Sequence, residues 1–377
     1  MFNMTAPAEK KRKTRLVHKK KGVGAPPGTL IPEVGAPPPS IILCSYDSES
    51  YEEQKIENVE DIQAFLNKRA VTWVDVLSAN DPATIKRIGE IFEIHPLTLE
   101  DVMNKHQRAK CEDYEKYRFI VAQAVQWKET LEIEDISIIL GNNFILTFQE
   151  RPNDNFALIR NRIRNSHGII RTQSVDYLAY SILDSIVDGY FPTLEAIGEK
   201  LENLEDQIIA RPEHQWISSL HMIKRDLLAI RRILWPLRDA LNTLIRDFYS
   251  TFHQETGLHL RDCYDHVIRL IDLTEMYREV ATDLRDVYLT SLTNRTNDIM
   301  RVLTVVATIF MPITFISSIY GMNFDRSSPY NMPELGWYYG YPIILGVMTL
   351  IGLAMLFYFY KKGWVTMRDI TLHEPKE

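Results

Sequence analysis

The sequence predicts an α+β N-terminal domain, a mixed sheet with flanking helices, followed by long helices and a C-terminal two-helix transmembrane hairpin. Three observations carry that prediction. Short runs rich in β-branched and aromatic residues fill positions 41–150, apolar residues recur every three or four positions after Ser174, and two long stretches near the end carry no charge. The 377 residues suffice for two or three domains.

Charge divides the chain further. Residues 1–40 hold eight basic and two acidic residues, 41–301 hold 30 and 43, and 302–377 hold five of each. The first block contains Lys10-Lys11-Arg12-Lys13, Lys19-Lys20-Lys21 and seven prolines, with no apolar run behind the charges. It reads as a disordered basic tail rather than a secretory signal, able to lie on anionic headgroups. The acidic body behind it would repel phosphate, so no nucleic-acid partner is expected. Cys44, Cys111 and Cys263 are too few and too scattered for a disulfide scaffold or a structural zinc site, and are expected to be reduced.

In the body, Ile41–Ser45, Val71–Val76, Tyr117–Val125, Ile133–Leu140 and Asn143–Phe148 read as strands, the last two joined by a tight turn at Gly141-Asn142. Asp81 caps an expected helix Pro82–Ile94, and another starts near His95-Pro96. From Val175 to Ala210 the spacing predicts one helix, ended by Arg211-Pro212. A second runs from about Glu213 to Phe252, with Pro236 predicting a kink. A third begins near Gly257 and meets no Gly or Pro until Pro312. Continued to Tyr320 it would be roughly 95 Å long.

That rod runs into Val302–Phe324, 23 uncharged residues, and Leu335–Tyr360 adds 26 more. Each can cross a ~30 Å hydrocarbon core. Trp337, Tyr338, Tyr339 and Tyr341 at one end, and Phe357–Tyr360 with Trp364 at the other, read as aromatic belts. Arg295, Arg301, Lys361, Lys362 and Arg368 flank the inner ends, so the positive-inside rule puts both termini in the cytoplasm and the loop Asp325–Glu334 outside.

Two helices cannot enclose a pathway. Either the hairpin is an anchor in lipid, or several copies surround a pore. Seven-residue rows along the first span give Asn297, Thr304, Met311 and Ser318, and Met300, Ala307, Thr314 and Gly321. The stripe is small, hydroxyl-bearing or Met, and suits a pore lining or ordinary helix packing equally. No GxxxxGK[ST], GxGxxG, zinc triad or nucleophile–base pair is present, so no enzyme is expected.

At the outer end of the first span stands Tyr320-Gly321-Met322-Asn323-Phe324, followed by Met332-Pro333-Glu334-Leu335. With Pro312 in Met311-Pro312-Ile313-Thr314-Phe315, the Lys361-Lys362 end and the order of elements, the chain from about 41 to 365 is similar to the CorA family of magnesium transporters. The resemblance implies a funnel-shaped homopentamer of the inner membrane, divided into a tail (1–40), a cytoplasmic α/β domain (41–173), a helical hairpin (174–252), a stalk continuing into the first span (253–320, the span from about 302), an extracellular loop (321–336), the second span (337–360) and a cytoplasmic end (361–377). It implies potential-driven influx of Mg²⁺, with Co²⁺ and Ni²⁺ as further cargo. Gly321, Met322 and Asn323 would form the selectivity filter, and Asn297, Met300, Leu303, Thr304, Ala307, Met311, Thr314 and Ser318 would line the pore. Mg²⁺ sheds its waters reluctantly, so a chargeless pore whose rim offers amide oxygens suits a hydrated ion. Regulatory Mg²⁺ is implied at subunit interfaces, on Glu100, Asp101, Asp262 and Asp286. Read without the resemblance, any of the four is equally open to being an ordinary solvated carboxylate. Zn²⁺ transport on the same fold and a non-conducting membrane-anchored sensor are the alternatives.

Overall fold

The computed structural model describes residues 24, 26–32, 35, 37–105, 107–246, 254–324 and 330–364. The tail's Lys10–Lys13 and Lys19–Lys21 runs, the loop stretch 325–329 and the C-terminal end with Arg368 lie outside the described residues. The chain divides into two compact units, one of residues up to 203 with 219–281, the other of 204–218 with 282–377.

The first unit is built on a seven-stranded mixed sheet. Its strands are β1 (Ser40–Tyr46), β2 (Tyr51–Ile56), β3 (Val71–Leu77), β4 (Lys110–Tyr114), β5 (Tyr117–Trp127), β6 (Leu131–Leu140) and β7 (Phe144–Gln149), in the order β2-β1-β3-β7-β6-β5-β4. Only β3 and β7 pair in parallel, with Val74 opposite Leu146; every other neighbour is antiparallel. All seven residues of β3 are buried, as expected of a strand covered on both faces. The edge strands β2 (YEEQKI) and β4 (KCEDY) escape a search for β-branched runs because they are charged, which is how a sheet discourages further pairing at its margins. The β6–β7 turn occupies 141–143. A Cβ on Gly141 would lie 2.3 Å from the Phe144 ring, so a larger residue would displace the ring.

The first two helices, α1 (Pro82–Ile91) and α2 (Pro96–Met103), both begin with proline, which needs no amide partner there. The Asp81 carboxylate accepts from the Thr84 amide at 2.9 Å, and His95 Nδ1 accepts from the Leu97 amide at 3.3 Å. Helix α1 stops three residues short of expectation, because Phe92 leaves helical geometry and Glu93 turns left-handed (φ 54°). The short helix α3 (Ala157–Arg164) was not expected.

The helix expected over 175–210 is two helices, α4 (Val175–Asp188) and α5 (Tyr190–Ala210). Gly189 caps the first, and Pro192 near the start of the second has no amide to continue a ladder. Helix α6 (His214–Arg246) runs through Pro236, and the stretch 247–253, into which it was expected to continue, lies outside the described residues. Helix α7 (Gln254–Tyr320) is a single helix of 67 residues containing Pro312. A 3₁₀ turn, Pro333–Gly336, precedes α8 (Gly340–Lys361).

One polar network is sealed inside the sheet. The Asp75 carboxylate on β3 accepts from Thr147 Oγ1 (2.6 Å), Gln149 Nε2 (2.9 Å) and the Arg160 guanidinium of α3 (2.6 Å), and Trp73 Nε1 donates to Thr147 (2.9 Å). Arg160 also pairs with Asp154 and lies over the Trp73 ring. Burial pushes the Asp75 carboxyl up, and Arg160 offsets only part of that rise. Removing one member of such a pair strands a charge in low dielectric. Asp75→Ala or Arg160→Ala should therefore each cost about 3–5 kcal/mol, read by urea unfolding of the full chain in detergent. The double variant should be no less stable than the worse single one.

Candidate functional site

In the second unit, the outer part of α7 and all of α8 are apolar enough to span a membrane, yet only 6% of the most apolar stretch of either is buried. The two helices meet along one face of α7. Val305 is buried, Ile309, Pro312, Ile313 and Ile316 are half-buried, and the Ile313 Cδ1 is 3.5 Å from where a Cβ on Gly352 would stand.

All eight residues expected to line a pore lie off that contact. Asn297, Met300, Leu303, Thr304, Ala307, Met311, Thr314 and Ser318 are exposed, Met311 to 70%. Leu303, Thr304, Ala307 and Met311, with Thr308 and Pro312, border a groove of about 490 Å³ whose far edge is Met355 of α8. The Thr304 hydroxyl donates to the Met300 carbonyl and that of Thr308 to the Thr304 carbonyl, both at 2.7 Å. Their protons are thus committed to the backbone, and what each hydroxyl offers outward is lone pairs.

The Gly321 amide still donates to the Ser317 carbonyl (2.9 Å) and that of Met322 to Ile319 (3.2 Å), so the tripeptide begins as the frayed end of α7. Gly321, Met322 and Asn323 are all exposed. Among the described residues the Asn323 side-chain amide makes no hydrogen bond.

The four carboxylates expected to bind regulatory ions do not converge within the chain. Glu100 on α2 accepts from the Gly28 amide at 2.6 Å. Asp101 is paired with Lys110 at 2.5 Å, so a cation there would compete with an ammonium. The Asp262 side chain is 67% exposed, with His266 Nε2 at 3.9 Å, and Asp286 meets only its neighbour Arg285 at 3.2 Å.

A different cluster does converge. Asp184 and Asp188 on α4 and His266 on α7 each bring one potential ligand atom within 4.8 Å of the others. Asp184 and Asp188 are one turn apart, as are Asp262 and His266, so both pairs occupy single helix faces. Those two i, i+4 spacings were the available sequence signal. Burial and the adjacent Asp188 charge push the Asp184 carboxyl up, opposed by its hydrogen bond from Tyr180 and by His266. His266 packs edge-on against Phe191, ring centroids 5.8 Å apart, and its buried Nδ1 has no hydrogen-bond partner. Two carboxylates suit a hard divalent ion, and adding imidazole extends the choice to transition metals such as Co²⁺.

The sequence matches the model of the CorA-like Mg²⁺ transporter protein family over residues 68–361. It is 43% identical to the cobalt/magnesium transport protein CorA of Thermotoga maritima, over 91% of this chain and 97% of that one. It is 37% identical to the putative metal ion transporter YfjQ of Bacillus subtilis, over 78% and 89%. Among solved structures, the complete CorA magnesium transporter of Methanocaldococcus jannaschii superposes with a TM-score of 0.68 at 23% identity, covering 86% of this chain and 98% of that one.

A cation entering the Asp184–Asp188–His266 cluster competes with protons for the Asp184 carboxyl, which burial and the Asp188 charge push up. Co²⁺ affinity, measured by calorimetry, should therefore fall as pH is lowered from 7 towards 5. Asp184→Asn should weaken binding about tenfold at pH 7, and that variant should depend less on pH.

Proposed function

The chain belongs to the CorA-like Mg²⁺ transporter family, and on that premise we propose that it carries Mg²⁺, and Co²⁺ beside it, across a membrane as a homopentamer. The observation that carries this reading is the exposed stripe of α7. Its small, hydroxyl-bearing and Met side chains are left uncovered by α8, as a helix that shares a central pathway with copies of itself requires. Five such helices would enclose a conduit without fixed charge, with Thr304 lone pairs facing inward. Five Asn323 oxygens at its mouth would accept hydrogen bonds from the waters of a hydrated ion. A ring of carboxylates would instead hold a divalent cation too firmly to let it pass.

Direction follows from the basic residues at the inner ends, Arg295, Arg301, Lys361 and Lys362, which put both termini in the cytoplasm of a cell whose inner membrane holds the protein. A divalent ion entering through 100 mV gains about 4.6 kcal/mol, enough to drive influx without a nucleotide. Ni²⁺ is a further candidate cargo; Zn²⁺ transport and a non-conducting sensor are not favoured by the family match.

Cytosolic Mg²⁺ regulates the pathway in this reading. Carboxylates of neighbouring subunits, Asp101 and Glu100 on one and Asp262 on the next, close over an ion, with Asp184, Asp188 and His266 beside Asp262 and Asp286 lower on the stalk. Loss of the ions leaves like charges facing one another. The ring loosens, and the constriction at Met300, Leu303 and Met311 takes up water.

Two substitutions test the reading. Asn323→Ala should abolish Mg²⁺ uptake into proteoliposomes while the oligomer keeps its size on light scattering; normal uptake would remove the filter assignment. Asp262→Lys should weaken the protection that Mg²⁺ gives the cytosolic part against proteolysis, and unchanged protection would move the sensor elsewhere. Comparing fluxes of Mg²⁺, Co²⁺ and Zn²⁺ in the same vesicles ranks the cargo.

A further inference from the structure

The last residue of α7 and the turn before α8 are joined by a side-chain hydrogen bond. The Tyr320 hydroxyl donates to Glu334 Oε1 at 3.3 Å, and both residues are half-buried. Tyr320 is the residue immediately before Gly321-Met322-Asn323. Glu334 is fixed at its other end as well, because its carbonyl accepts the Trp337 amide at 3.2 Å. That carbonyl oxygen also lies 2.4 Å from where a Cβ on Gly340 would stand, so only glycine lets α8 start so close to the turn. Upstream, Met332 holds a left-handed conformation (φ 45°), a strained geometry that surrounding contacts must maintain. Glu334 therefore ties the outer end of one span to the start of the other, next to Gly321-Met322-Asn323.

We propose that the Tyr320–Glu334 hydrogen bond is a brace that sets the orientation of the Gly321-Met322-Asn323 rim, making Tyr320 and Glu334 positioning residues for ion selection. The selective role rests on the transport reading above; the brace itself does not. An amide oxygen that must meet the waters of an ion at hydrogen-bond distance discriminates only if its backbone is held. With α7's ladder ending at Met322, the tie at Tyr320 is the nearest side-chain restraint shown among the described residues.

The test uses the full chain in liposomes with Tyr320→Phe, Glu334→Ala and Glu334→Gln. Tyr320→Phe removes only the donor, and Glu334→Gln keeps an acceptor oxygen without the charge. Losing that hydrogen bond should speed hydrogen exchange at the Gly321 and Met322 amides, which close the last turn of α7, about 3- to 10-fold in the Phe and Ala variants. The Gln variant should stay near wild type. In the same vesicles, the ratio of Mg²⁺ to Ni²⁺ flux should fall at least about threefold in the Phe and Ala variants and recover in the Gln variant. Wild-type exchange rates in Tyr320→Phe overturn the brace. Faster exchange with an unchanged flux ratio overturns its selective role, and a Gln variant as impaired as Ala shows that charge matters instead. If wild-type vesicles pass no Mg²⁺, the transport reading falls, while the exchange rates still decide whether the brace exists.

Discussion

An apolar surface that its own chain does not cover has to be covered by something else. That constraint governs the second unit. Helix α8 hides one narrow face of α7, and Phe310, Phe315, Leu350 and Leu353 remain more than 60% exposed. At about 25 cal/mol per Å², leaving such side chains in water is prohibitive, so lipid must take most of them. Lipid does not suit every face equally. The Thr304, Ala307, Thr314 and Ser318 side is poor in bulk and carries hydroxyl oxygens, which favour close helix neighbours or water. The burial problem is thus posed differently on two sides of a single helix, one bulky and apolar, the other small and hydroxyl-bearing.

The first unit meets the opposite problem of putting charge inside. Asp75 and Arg160 are held by Thr147, Gln149 and Asp154, so the ion pair is satisfied and the sheet can close over it. At the periphery, carboxylates are left under-satisfied. Asp184 sits half-buried beside Asp188, with its carboxyl pushed up by that burial and that neighbour. Two carboxylates held this close repel one another, and a positive charge between them would relieve that repulsion.

Much of this was legible in the sequence because its causes are local. The chargeless spans declare themselves by length, β3, β5, β6 and β7 by their β-branched runs, and α1 by Asp81 followed by proline. The charged edge strands β2 and β4 were hidden, because their identity comes from the strand beside them rather than from their own residues. The break at Gly189 was hidden too, since a glycine in ordinary helical geometry (φ −63°, ψ −17°) leaves no mark on apolar periodicity. The carboxylate cluster was the largest omission. Asp184 and His266 are 82 positions apart, and only the packing of α4 against α7 brings them together. Conversely, the motif that pointed to Asn323 said nothing of the Tyr320–Glu334 contact that underlies it.

Pro312 has a consequence of its own. It has no amide hydrogen, so the Thr308 carbonyl, four residues earlier, lacks the rung that its neighbours in α7 have. The Thr308 hydroxyl cannot replace it, since its proton already goes to Thr304. A helix of 67 residues is stiff wherever its ladder is complete, and here it has a weak joint about two to three turns into the apolar span. Torque applied along the shaft is relieved at that joint first, which makes the Thr308–Pro312 turn the place where α7 bends or twists most easily.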